Sequence, residues 1–229
     1  LFAIRQKPVA LQKKSTMPAT IVIFTFNPFQ ENTYLVFDET KECTIIDPGC
    51  FEAHERIELD NFIRENDLKP VRLINTHCHL DHVFGNAFVS RTWGLELEIH
   101  RGELPVLEAV PQIAKFYGMP AGEPSPMPGK FIEEGDIIAF GNTKMEAILT
   151  PGHSPASLSF FIREDGLLIA GDVLFQESIG RTDLPGGDHE TLIASIKNKL
   201  LPLGDEVKVF PGHGPSTTIG HERAYNPFL

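Results

Sequence analysis

Residues 76–82 read Thr-His-Cys-His-Leu-Asp-His, and this run constrains the chain more than any other stretch. Four side chains able to hold a metal, His77, His79, Asp81 and His82, fall within six residues. At the chain's own His and Asp frequencies such a pattern arises by chance in roughly one chain in a thousand. The preceding residues 71–75, Val-Arg-Leu-Ile-Asn, have the aliphatic and β-branched character of a strand. The run therefore sits at a strand's carboxyl end, where α/β proteins place their sites. Imidazole nitrogen with carboxylate oxygen suits zinc, iron or manganese at hydrolytic or oxidative centres. A purely structural zinc would favour cysteines, and none is suitably placed.

Read alone, the run could be a polar surface loop, but three further donors stand in matching positions. His153 follows Leu149-Thr150-Pro151-Gly152, Asp172 follows Leu168-Ile169-Ala170-Gly171, and His213 follows Val209-Phe210-Pro211-Gly212. A glycine directly before each donor lets the backbone turn sharply and approach closely after a strand. Any one of the three is more often a turn residue or cap. Together with the first four they make seven candidate ligands.

Around these donors the chain reads as two similar halves. Strands are predicted at 20–26, 33–37 and 44–46, the second preceded by polar Glu31-Asn32 and the third closed by Pro48-Gly49. A helix over 51–66 with Ile57, Leu59, Phe62 and Ile63 on one face precedes the strand at 71–75. Then come a helix at 84–93, a strand at 95–99 and a helix at 103–117. Pro120, Pro124, Pro126 and Pro128 disfavour helix or strand before Phe131, which predicts a loop bordering the mouth of a site. Four strands at 136–140, 143–149, 157–162 and 167–170 form a second meander. Asp188 caps a helix to about 201, and 207–210 is the last strand. The repeated strand-then-helix succession predicts an α/β fold, two sheets packed face to face with helices outside.

Composition narrows the partners. Twenty Lys plus Arg against 31 Asp plus Glu give a net charge of −11, which disfavours nucleic acid and anionic membranes and favours a small-molecule substrate. No apolar stretch reaches the roughly 20 residues of a membrane-spanning helix. Three unpaired cysteines, Cys43, Cys50 and Cys78, suit a reducing cytoplasm. Residues 1–16 carry Arg5, Lys7, Lys13 and Lys14 without an acid, and are read as a disordered leader or non-native remnant with Met17 as an alternative start. Residues 17–229 are expected to form one catalytic domain, while the oligomeric state is not legible.

The seven residues, in this order, resemble the metallo-β-lactamase fold superfamily over residues 20 to 213. The resemblance implies an αββα sandwich with two divalent ions at one edge between the sheets, zinc first, with iron or manganese as alternatives. It implies His77, His79 and His153 on one ion, Asp81, His82 and His213 on the other, and Asp172 bridging both. Asp172 stands where true β-lactamases typically carry cysteine or another residue, which argues for the type II glyoxalase and thioesterase branch. Residues 178–188, Ser-Ile-Gly-Arg-Thr-Asp-Leu-Pro-Gly-Gly-Asp, with 211–215 and the terminal Asn-Pro-Phe-Leu, resemble short bacterial hydroxyacylglutathione hydrolases. Only 16 residues follow His213 in this chain of 229, so the helical C-terminal domain of longer type II glyoxalases is expected to be absent.

The implied reaction is hydrolysis of an S-lactoylglutathione-like thioester by a metal-activated hydroxide, with Asp81 and Asp172 as the catalytic carboxylates. Two rivals stand beside it, an iron-dependent persulfide dioxygenase of the same superfamily and a metal-binding module without turnover. By resemblance Arg181 occupies the position of a basic residue that contacts a glutathione carboxylate, although Asp183 replaces an aromatic found there. A structural pair between Arg181 and Asp183 fits the residues equally well. Cys78 is expected to be a buried filler, and Asp47 either orients a ligand histidine or shapes its turn. His54, His100, His189 and His221 are expected at the surface.

Overall fold

The computed structural model describes residues 17–120 and 122–229, so the expectation for residues 1–16 lies outside the described residues. The first sheet has six strands in sequential order: β1 (Thr20–Phe26), β2 (Glu31–Phe37), β3 (Glu42–Ile46), β4 (Lys69–Ile74), β5 (Leu97–Ile99) and β6 (Pro128–Phe131). Its first three strands pair antiparallel through short turns. From β3 onward the pairing is parallel, because helices α1 (Ala53–Glu65), α3 (Asn86–Trp93) and α4 (Leu104–Phe116) carry the crossovers. The second sheet runs β14 (Thr217–Thr218), β13 (Lys208–Pro211), β10 (Leu167–Gly171), β9 (Leu158–Ile162), β8 (Thr143–Leu149) and β7 (Ile137–Phe140). There β7 to β10 form the antiparallel meander, and β13 joins parallel to β10 after helix α5 (His189–Ser195).

Alternation along the strands builds three apolar layers. Tyr34, Val36, Ile46 and Ile74 of the first sheet meet Met145, Leu158, Phe160 and Phe210 of the second in the central layer. Leu35, Ile45, Leu73 and Leu97 point the other way, onto Leu59 and Ile63 of α1 and Val89 of α3. On the far side Phe161, Leu168 and Val209 pack against Leu192 and Ile196. Both faces of each sheet are thus covered, and the fold is the predicted αββα sandwich.

Besides shifts of one or two residues at many element ends, three departures from the sequence reading have a physical cause. Strand β2 begins at Glu31, and both polar residues read as preceding it are buried inside it. Asn32 earns its place there by donating from Nδ2 to the carbonyls of Pro211 and Gly214, at 3.0 and 2.8 Å. Residues 128–131 form a strand rather than loop, since β6 lies at the sheet edge where proline's missing N–H breaks no ladder bond. The helix capped by Asp188 loses α-helical geometry after Ser195, continuing as a wider π-type turn over Ile196–Leu200 and a 3-10 turn over Leu201–Leu203. Sequence reading missed the small hairpin of β11 (Leu174–Phe175) and β12 (Ser178–Ile179), the single-turn α2 (Leu80–Val83), strand β14 and the last helix α6 (Ile219–Tyr225). Among the described residues no helix is long and apolar enough to cross a membrane.

All three thiols are free and buried, and burial raises Cys43 and Cys50 to about 12 and pushes Cys78 well up. A thiol-reactive dye should therefore label none of them within minutes in the native protein and all three in denaturant. Rapid labelling of a native thiol would show that the helix-side core opens more readily than this packing allows.

Candidate metal centre

All seven donors arrive from loops at one end of the two sheets. Strand β4 ends at Ile74, and the chain leaves it through Asn75 and Thr76, both buried. His79 is the N-cap of α2, whose single turn carries Asp81 and His82. Asp47, just after β3, adopts a left-handed backbone (φ 50°) and holds this exit in place. Its Oδ1 accepts from Thr76 N and its Oδ2 from Thr76 Oγ1, both at 2.6 Å, and Oδ2 lies 3.1 Å from His82 Nδ1. Asp47 therefore does both things expected of it, shaping the turn and orienting a histidine.

The glycines before the other donors act in two different ways. Gly152 (φ 129°) and Gly171 (φ 54°) take conformations that side chains resist. Gly212 instead allows close approach, since a Cβ there would lie 2.0 Å from Asp172 Oδ1 and 2.9 Å from His82 Cε1. Gly180 does the same on the other side, where a Cβ would meet the Asp172 carbonyl oxygen at 2.0 Å.

One ring nitrogen is turned outward on four of the five histidines. Nδ1 of His82 faces Asp47, Nδ1 of His77 lies 3.0 Å from Thr76 Oγ1, and Nδ1 of His153 lies 2.7 Å from the Arg181 carbonyl. Nδ1 of His213 sits 3.1 and 3.2 Å from the carbonyls of Phe29 and Gln30. Each contact to a carbonyl or carboxylate orients its ring through Nδ1 and turns Nε2 inward, the atom available to a cation. His79 is reversed, with Nδ1 inward and 2.9 Å from His153 Nε2.

The inward atoms form two groups. Donor atoms of His77, His79 and His153 lie within 4.8 Å of one another, and so do those of Asp81, His82 and His213. Asp172 reaches both, with Oδ1 3.5 Å from His82 Nε2 and Oδ2 3.5 Å from both His153 Nε2 and His213 Nε2. A third grouping, Asp47 with His77 and His82, also satisfies the distance. Asp47 is already committed to Thr76 and His82, so we read it as orienting.

Protonation follows the same division. Burial, reinforced by the neighbouring rings, holds His77 well below the usual histidine range, and burial followed by His153 takes His79 to about 3. Both rings are neutral and can donate lone pairs. Burial would also depress His82, but the Asp81 and Asp172 carboxylates outweigh it and raise its pKa. For Asp172 burial raises the pKa, yet His82, His153 and His213 prevail and keep it well below the ordinary range.

His77 Nε2, His82 Nε2 and Asp172 Oδ1 are buried without any hydrogen-bond partner. Unpartnered buried polar atoms are rare and costly. Three of them converging from nitrogen and oxygen donors fit a pair of divalent cations.

Two buried acids escaped the sequence reading. Glu103 accepts from Cys78 N (3.0 Å), Ser154 Oγ (2.6 Å) and Ala156 N (2.8 Å), tying the loop of His77 and His79 to the loop of His153. Its partners lie 25 to 53 residues away along the chain, so no local signal marks it. Glu31 lies 3.9 Å from His82 Nδ1, with burial raising its pKa well above the usual range. Cys78 is a buried filler as expected, and its side chain belongs to the helix-side core. His54 and His189 are exposed. His100 is half-buried, caps a 3-10 turn through Gly102 N and pairs with Glu133, whereas His221 pairs with Glu177.

A cleft of about 860 Å³ opens over the centre, with His79, Asp81, His153, Asp172 and His213 at its inner end. The loop expected to border it does not: no described residue of 120–128 lines this cleft. Ser125 packs instead beside Asn86 and Val83, in a separate crevice, because the chain turns there to lay down β6. The cleft wall is α4. Arg181 does line the cleft, and its Nε and Nη2 are paired with Asp183 at 2.7 Å each, both side chains being exposed.

Residues 26–213 match the profile of the metallo-beta-lactamase superfamily. The chain belongs to that superfamily. It is 40% identical over 210 residues to the Haemophilus influenzae protein named hydroxyacylglutathione hydrolase GloC, covering 91% of this chain and 97% of the relative. Among solved structures it is similar to BLEG-1 B3 metallo-beta-lactamase, with a TM-score of 0.84 at 36% identity, covering 92% and 99% of the two chains. It is also similar to TTHA1623 in a di-iron-bound form, with a TM-score of 0.81 at 38% identity, covering 91% and 100%.

Because Asp172 contacts both groups and His213 belongs to one, Asp172→Asn should lose more bound metal and more activity than His213→Asn. Metal content by mass spectrometry alongside turnover checks this. Equal losses in the two variants at matched metal occupancy would argue against a shared carboxylate.

Proposed function

We propose that this member of the superfamily is a metal-dependent thioester hydrolase that cleaves hydroxyacyl glutathione thioesters of the S-lactoylglutathione kind. The observation that carries the reading is Asp172, whose carboxylate reaches both donor groups at the inner end of an open cleft. The likeness to hydroxyacylglutathione hydrolase GloC along nearly the whole chain supports the thioester class. His77, His79 and His153 would hold one ion, Asp81, His82 and His213 the other, and Asp172 both. Zinc is our first assignment, with iron or manganese as alternatives, and the di-iron form of TTHA1623 keeps iron in view. When bound, such a pair supplies Lewis acidity and a water whose pKa is lowered towards about 7.

The chain's own residues then position the reactants. Asp81 Oδ2 and Asp172 Oδ2 lie 3.1 and 3.5 Å from His213 Nε2, and both carboxylates, held ionised against burial by the neighbouring histidines, line the inner end of the cleft, where they could accept hydrogen bonds from an attacking water. In the net reaction the water oxygen bonds to the thioester carbonyl carbon and the carbon–sulfur bond breaks. The electron pair leaves on sulfur, and the products are a carboxylate, a thiol and one proton. A thiol of pKa near 8.5 leaves without a dedicated acid. The net charge of −11 favours a small-molecule substrate over nucleic acid or an anionic membrane, and we assign the protein to the cytoplasm.

A second reading has one observation in its favour, the 36% identity to a protein described as a B3 metallo-beta-lactamase. One panel separates the possibilities: S-lactoylglutathione, a chromogenic cephalosporin, and glutathione persulfide with oxygen uptake recorded. Thioester cleavage exceeding the other two by orders of magnitude is expected. Dominant β-lactam hydrolysis, or oxygen consumption without hydrolysis, would overturn the proposal.

Arg181 is our candidate contact for a glutathione carboxylate, through the Nη1 donors that Asp183 leaves free. Arg181→Ala should raise KM for glutathione thioesters roughly tenfold, the scale of losing one charge-assisted hydrogen bond, with kcat nearly unchanged. A thioester of N-acetylcysteamine, which lacks the carboxylates, should barely respond. Equal slowing of both substrates would make the arginine structural.

A further inference from the structure

The walls of the cleft do not match the polarity of lactoylglutathione. Helix α4 carries two apolar stripes. Leu107 and Ala114 are buried and serve the fold. Val106, Val110 and Ile113, with Tyr117 just after the helix, share another face that borders the cleft; the three aliphatic side chains are half-buried, one flank touching the core, and Tyr117 is exposed. Phe116 beside them is 82% exposed, and Phe29 meets Tyr117 edge-on at 5.9 Å between ring centroids. Outside the metal-candidate cluster, Arg181 is the one charged side chain among the described residues that line this space, and Asp183 already neutralises it. Exposed aromatic and aliphatic side chains gathered along one concave surface mark a binding site for apolar matter.

The cleft is continuous with the His/Asp cluster, so a carbonyl placed at the cluster must lay its flanking groups along these walls. A glutathione leaving group carries two carboxylates and an ammonium, which an apolar wall would desolvate at a cost. The acyl side is then the part that suits α4. We propose that the cleft selects thioesters whose acyl group bears a large apolar substituent, an aryl ring or a medium-length alkyl chain, over the methyl of a lactoyl group. Val106, Val110, Ile113, Phe116 and Tyr117 are the specificity-determining surface. This selection rests on the thioesterase reading above and narrows its substrate class. Each methylene fully removed from water on such a wall favours binding about fourfold, and contacts kept through the transition state appear in kcat/KM.

The test compares S-lactoylglutathione with S-(2-hydroxyoctanoyl)glutathione on the metal-loaded full chain. The two share the leaving thiol and the α-hydroxyl and differ only in the alkyl chain. The longer ester should have kcat/KM higher by about tenfold or more, and in Ile113→Asn and Phe116→Ser the ratio between the two esters should fall by about tenfold. Neither side chain is fully buried, so both variants should fold, and thermal melting checks that. Equal rates on the two esters, or a ratio that neither substitution moves, would overturn the selection while leaving the thioesterase reading intact. The lactoyl ester of an alkyl thiol forms a further arm, and a rate gain found there and not on the acyl side would assign the wall to the thiol and overturn the acyl assignment. No turnover of any ester would sink both proposals together.

Discussion

Five imidazoles and two carboxylates are crowded into one pocket at the edge of the sandwich, and donor atoms turned inward at this density fit positive charge held between them. His79 Nδ1 and His153 Nε2 stand 2.9 Å apart, and three other inward atoms have no partner. Each unpartnered buried group costs on the order of 1–3 kcal/mol. A chain that folds around such a cluster has enough stability elsewhere to hold it, which is what the three apolar layers contribute.

The outward contacts explain why the cluster is not free to relax. Asp47 sets Thr76 and His82, the Arg181 carbonyl sets His153, and Glu103 joins the loop of His77 and His79 to that of His153. Arg181 therefore bears on the centre through its backbone carbonyl, and the segment after β12 links the cleft wall to the centre. Asn32 and Tyr34 fasten the Pro211 carbonyl two residues before His213, at 3.0 and 2.5 Å. The donors come from both sheets, and hydrogen bonds from the exits of other strands hold several of them, as Asp47 holds His82 and the Phe29 and Gln30 carbonyls hold His213. The site is a property of the sandwich and of its register, since β2 must end its turn at Glu31 for Asn32 to reach the His213 loop.

Much of this was legible in the residues. The 77–82 run after a strand, and glycine before His153, Asp172 and His213, marked seven side chains that the structure gathers at one end of the sheets, with Asp47 beside them. Local spacing also placed the strands of both meanders, because alternation and turn residues are local signals. What stayed hidden depends on distant partners. Glu31 and Asn32 looked like turn polarity because their burial is justified only by His82 and the 211–214 loop. Glu103 went unmarked because Ser154 and Ala156 are some fifty residues away. The proline segment misled for a related reason: prolines disfavour interior strands, but whether 128–131 lies at an edge is decided by the whole sheet. The cleft wall then fell to α4, whose second apolar stripe borders the cleft on one side while Val106, Val110 and Ile113 also touch the core.

The central claim is that Asp172 joins two metal ions held by two separate donor groups. X-ray diffraction from metal-loaded crystals at the absorption edge of the bound metal tests it directly. The account predicts two anomalous peaks roughly 3.5–4 Å apart, one within the His77, His79 and His153 group and one within the Asp81, His82 and His213 group, with Asp172 oxygens on both. A single peak at full loading, or a pair that leaves Asp172 unliganded, would contradict it.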